Sequence, residues 1–68
     1  MFDENVEELS LSDSHISFTV KCMYLASAIS QTLTFNSVPH HVDTKHDETQ
    51  NEWHFKAPRF ALGILRTL

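Results

Sequence analysis

Between His15 and Leu33 the chain carries two hydrophobic patterns that demand different folds. Phe18, Cys22, Leu25, Ile29 and Leu33 recur at i, i+4, i+7, i+11 and i+15, one stripe of a helix. Over the same stretch, His15-Ile16-Ser17-Phe18-Thr19-Val20-Lys21-Cys22 alternates polar and apolar, as a half-buried strand does. Ser12, Asp13 and Ser14 are good helix N-cap types, and Ala26 and Ala28 add helix propensity. The expectation is therefore a long helix over about 13–35. The competing reading is a strand at 15–22 followed by a shorter helix.

Asn36-Ser37-Val38-Pro39 ends that element, because Asn and Ser favour turns and Pro39 pushes Val38 away from helical geometry. Beyond it, residues 41–46 and 52–57 predict two strands of a hairpin over about 41–57, with Trp53, Phe55 and Ala57 on one face. The first strand offers only Val42 as a clear apolar residue. Pro58 suits the first turn of a C-terminal helix over about 58–68, with Phe60, Ala61, Ile64, Leu65 and Leu68 as its apolar stripe. Before all of this, residues 1–12 predict an acidic arm or short helix, with Phe2, Val6 and Leu9 at helical spacing. The fold class is a small α+β single domain over 1–68. If the strand at 15–22 wins, the order becomes β-α-β-β-α, a three-stranded antiparallel sheet under two helices.

A chain of 68 residues buries only roughly 60 % of the surface that its unfolded form exposes. Domains of this size usually need disulfides, a metal or self-association, and a lone cysteine, Cys22, allows no internal disulfide. That cysteine agrees with a reducing, cytoplasmic location. No apolar run approaches the ~20 residues that span a bilayer, and acids stand at the N-terminus where a signal peptide carries bases. Membrane insertion is not expected. A net charge of -4 with five scattered Lys and Arg argues against nucleic acid, which requires a basic stripe.

Side chains with metal or proton chemistry concentrate in one polar stretch, where His40, His41, His46 and His54 interleave with Asp43, Asp47, Glu48 and Glu52. Zinc needs three or four imidazoles, thiolates or carboxylates converging at about 2.0–2.3 Å. His41, His46 and His54 with Asp43 are the candidate set on a hairpin, although their spacing fits no standard zinc pattern. Cys22 falls in the apolar stripe, where a buried thiol is inert. Gly63 is the only glycine, which removes nucleophile elbows and phosphate-cradling loops. Trp53, Phe55 and Phe60 read as core between hairpin and helices.

The function expected from these residues is non-enzymatic: a small acidic regulator or adaptor that binds protein, as a homo-oligomer, and needs no cofactor. Phe60, Ile64, Leu65 and Leu68 would carry the contact. Tyr24 and Met23, flanking the first helical stripe, would widen it. Asp3, Glu4, Glu7 and Glu8 would steer a basic partner. The alternative is a zinc-type metal-binding module built on the histidine-rich hairpin.

Overall fold

The computed structural model describes residues 2–68. Its elements run α1 (Phe2–Asn5), β1 (Glu7–Leu11), β2 (His15–Val20), α2 (Met23–Phe35), β3 (His41–His46), β4 (Asn51–Pro58) and α3 (Ala61–Leu65). The described strands form a four-stranded antiparallel sheet in the order β1-β2-β4-β3. The α+β class fits the expectation, but the long helix at 13–35 does not form. Residues 15–20 obey the period of two, and the helix starts only at Met23.

The strand prevails because alternation gives Ile16, Phe18 and Val20 one shared face, and a partner face exists for them. In β2–β4 pairing Ile16 lies opposite Ala57, Phe18 opposite Phe55 and Val20 opposite Trp53. Phe18 stacks on Phe55 with ring centroids 5.2 Å apart, and Phe2 meets Phe18 edge-on at 5.1 Å. Such aromatic pairs add about 0.5–1.5 kcal/mol each beyond the area that they bury. Ala26, Ile29 and Leu33 of α2 and Ala61, Leu62 and Leu65 of α3 complete the same buried cluster. All three helices thus contribute to one face of the sheet, and the other face is left to polar side chains.

The first strand was not foreseen. Ser12, Asp13 and Ser14 cap no helix; they turn β1 into β2, with Ser12 N–H donating to His15 O at 2.9 Å and His15 N–H donating to Ser12 Oγ at 3.0 Å. The same side chains that cap helices also close turns, and here the turn bonds between Ser12 and His15 use them. β1 is exposed along its whole length, and its register with β2 shifts between Glu7 and Ser10, where Glu8 takes a φ of 54°. Cys22 likewise leaves the expected stripe: it is the exposed N-cap residue of α2. At the other end, Pro58 closes β4 instead of opening a helix, and α3 is shorter than expected.

The C-terminus of α2 is closed by a six-to-one hydrogen bond. Val38 N–H reaches Leu33 O at 2.8 Å, Ser37 N–H reaches Thr34 O at 3.0 Å, and Val38 itself is buried against the core. This arrangement requires a left-handed residue between helix and return, and Ser37 supplies it at φ 57°. A serine pays a steric penalty there that glycine does not. Ser37→Gly is expected to raise stability by about 0.5–1 kcal/mol, a gain of a few degrees in melting temperature for a domain of this size; thermal unfolding followed by circular dichroism checks it.

Candidate functional site

Strand parity sorts the chemistry-bearing residues. On the open face of the sheet stand Ser10 of β1, Ser17 and Thr19 of β2, Glu52, His54 and Lys56 of β4, and His41, Asp43 and Lys45 of β3. Val42, Thr44 and His46 take the covered side. Of the candidate zinc set, His41 and Asp43 lie together, with His41 Nε2 3.3 Å from Asp43 Oδ1, and Asp43 faces His54 across the β3–β4 ladder. His46 is turned to the opposite side and bonds Asn51 Oδ1. The four residues are therefore not gathered around one point, and among the described residues no group of three or more His, Cys, Asp or Glu side chains is placed to hold a metal.

What the open face does hold is a hydrogen-bonded line through its centre. Thr19 is only 4 % exposed, although it sits on the polar side. Its hydroxyl donates to Glu8 Oε2 at 3.3 Å, and its oxygen lies 3.1 Å from His54 Nδ1. With the hydroxyl proton directed at Glu8, Nδ1–H must be the donor to Thr19. His54 Nε2 is buried, lacks a well-directed hydrogen bond, and has Glu52 Oε1 at 3.2 Å as its near neighbour. The imidazole is thus tethered at one nitrogen and faces a carboxylate with the other. The positive φ at Glu8 belongs to the bulge that disturbs β1 next to this line. Sequence spacing gave no signal for Thr19, since a threonine in a strand is ordinary; only its burial on a polar face marks it.

A second concentration lies at the end of the sheet. His15, His40, His41 and Lys56, with Pro39, Ala57 and Pro58, line an open cavity of about 310 Å³. His40 is oriented by its Nδ1–H, which donates to Val38 O at 2.9 Å and leaves Nε2 as the nitrogen with a lone pair. His15 is held through Nδ1 to Ser14 Oγ at 2.8 Å. No carboxylate lines this cavity among the described residues, although Asp43 lies 3.3 Å from His41 Nε2 just behind its wall.

At the hairpin tip, Asp47 accepts the Thr49 backbone N–H at 2.8 Å and the Thr49 hydroxyl at 3.0 Å. These bonds favour the carboxylate and hold its pKa below the ordinary aspartate value. A folded pKa that is depressed stabilises the turn at neutral pH and withdraws that support as pH falls through the folded value.

The apolar candidates also change place. Leu65 is fully buried in the chain's own core, while Ile64 and Leu68 are partly buried against it. Leu65 is therefore no free interface residue, because that face of α3 packs into the core, chiefly against α2, together with Leu62, which the expected stripe omitted. Phe60, expected in the core, is 64 % exposed, and Tyr24 is 79 % exposed. Phe35, which the sequence did not single out, is 89 % exposed. The described acids are less available than expected: Asp3 pairs with Arg66 at 3.2 Å and Glu7 with Lys21 at 3.3 Å. No helix among the described residues is long and apolar enough to cross a membrane.

Two outcomes follow from this geometry. Thr19→Val keeps shape but deprives His54 Nδ1 of its partner, and is expected to cost about 1–3 kcal/mol, the penalty of an unpaired buried donor; urea unfolding measures it, and a loss below the range of a single surface substitution would show the line to be incidental. The Thr49 amide resonance should titrate with a midpoint below the ordinary aspartate range and stop titrating in Asp47→Asn. No family model, curated protein or solved structure matches this chain.

Proposed function

We propose that this chain is a small non-enzymatic protein-binding module that works as a homo-oligomer. The observation that carries the reading is the set of large apolar side chains left in water beside a satisfied core: Phe35, Tyr24, Phe60 and Met23. Total exposure is unremarkable, 4584 Å² against the roughly 4,400 Å² usual for a monomer of this mass. Its distribution is the signal. Tyr24 and Phe35 are eleven residues apart, three helical turns, so they stand on one line along the solvent side of α2, about 16 Å apart. Aromatic side chains so placed are the usual anchors of a protein contact. Of the expected contact residues Phe60, Tyr24 and Met23 are exposed, Leu65 is taken up by the core, and Phe35 joins the set.

A second reading is favoured by one observation, the cavity that His15, His40, His41 and Lys56 line. His15, His40 and the Lys56 ammonium suit a small anion, with His41 already paired to Asp43, and phosphate titration followed by histidine ring resonances would reveal it. Zinc has less support, because His41, His46, His54 and Asp43 do not converge.

The principal reading is tested by absolute mass from light scattering across loading concentrations. A concentration-dependent dimer or larger species is expected, and Tyr24→Ser with Phe60→Ser should lower the average mass at a given concentration, at unchanged circular dichroism, by removing the helix-side contact. A folded wild-type chain that stays monomeric at millimolar loading would remove self-association.

A further inference from the structure

The sheet has two edges, and they differ. β1 is broken by the bulge at Glu8, which twists and blunts an edge. β3 is regular: six consecutive residues, His41 to His46, pair with β4 without a shift, and among the described residues no strand pairs with its other side. An uncovered, regular edge is a template for another strand. We propose that the other strand is β3 of a second copy, paired antiparallel about a twofold axis at Thr44, which joins two sheets into one of eight strands.

Charge selects that partner and that register. A twofold axis normal to the sheet keeps open face with open face, so residues of like parity must meet. An axis at Asp43 would set Asp43 against Asp43. An axis at Lys45 would set Lys45 against Lys45 and Asp43 against the second copy's Asp47. With the axis at Thr44, Asp43 meets Lys45 twice and His41 meets Asp47 twice, while Val42 meets His46 and Thr44 meets itself on the covered side. Of these three registers, only the one centred on Thr44 avoids like charges. It also continues a line already present within each chain, since Asp43 faces His54 and Lys45 faces Glu52. The row then reads His54, Asp43, Lys45, Glu52 across the junction, with each carboxylate beside a basic side chain. Lysine on an edge more often prevents pairing. Here each Lys45 has a carboxylate opposite it in the joined sheet.

This inference rests on the homo-oligomer reading but uses a different surface, and charge reversal separates the two. Asp43→Lys and Lys45→Asp each place like charges opposite one another at two positions and are expected to weaken the dimer by about tenfold or more. An equimolar mixture of the two singly reversed chains restores both pairs, so it should dimerise as a heterodimer at least as well as the unaltered chain. Sedimentation equilibrium at low and high salt, with circular dichroism to confirm folding, supplies the readout. A dimer that ignores both reversals yet is lost in the Tyr24→Ser and Phe60→Ser chain would overturn the strand pairing and leave the helix-side contact standing; a monomer at every concentration would overturn both.

Discussion

The pairing of β2 with β4 is the constraint on which the remainder of this fold depends. It sets six residue pairs in the middle of the sheet and brings Phe18 onto Phe55. Because side chains alternate along a strand, a slip of one residue would send Ile16, Phe18 and Val20 into water and draw Ser17 and Thr19 into the core. Such a slip would be costly, since the buried side chains that the helices supply to the covered face are apolar. The register is thus enforced from above by α2 and α3 and from within by aromatic stacking. The polar open face follows as the other half of the same alternation.

A core this thin is held by ties at its margins. Phe2 of α1 closes one end against Phe18, and the Asp3–Arg66 ion pair joins the two ends of the chain. That pair is exposed and contributes little by itself. Arg59 does more structurally: its backbone N–H bonds Ser14 O at 2.9 Å and its guanidinium bonds Ser12 O at 2.7 Å, so the segment leading into α3 is fixed to the β1–β2 turn. These bonds are formed between residues far apart in sequence, which explains how a five-residue helix without a side-chain cap holds its place. Packing and tertiary hydrogen bonds, not propensity, sustain it.

Legibility in the sequence followed the strength of local periodicity. The hairpin was readable because Trp53, Phe55 and Ala57 alternate, and the second half of the helical stripe was readable because Ile29 and Leu33 do face the core. Phe18 and Cys22 joined that stripe only by coincidence of spacing, one being a strand residue and the other an exposed cap. β1 could not be read at all. Its residues are all exposed, so they carry no alternation, and they are extended because β2 offers hydrogen bonds across the turn. The helical spacing of Phe2, Val6 and Leu9 then spread over two different elements. At the C-terminus the stripe was correct in kind and shifted in phase: Leu62 is inside and Phe60 outside, because the helix begins after Phe60 and not at Pro58.

The histidines show how geometry disperses what sequence concentrates. On a helix, residues four or five apart would return to one side within about 6–8 Å. On a strand rising about 3.4 Å per residue, His41 and His46 are separated by about 17 Å and point to opposite faces. His40 is held to Val38 before the strand begins, and His54 enters the row beside Thr19. A composition that looks like one ligand set is therefore divided among a covered side, an end cavity and a central hydrogen-bonded line. The same period of two that scatters the imidazoles aligns charges of opposite sign across the strands of the open face. For this chain, recognition is accordingly better sought in how rows of charge continue beyond the sheet than in any single cluster of histidines.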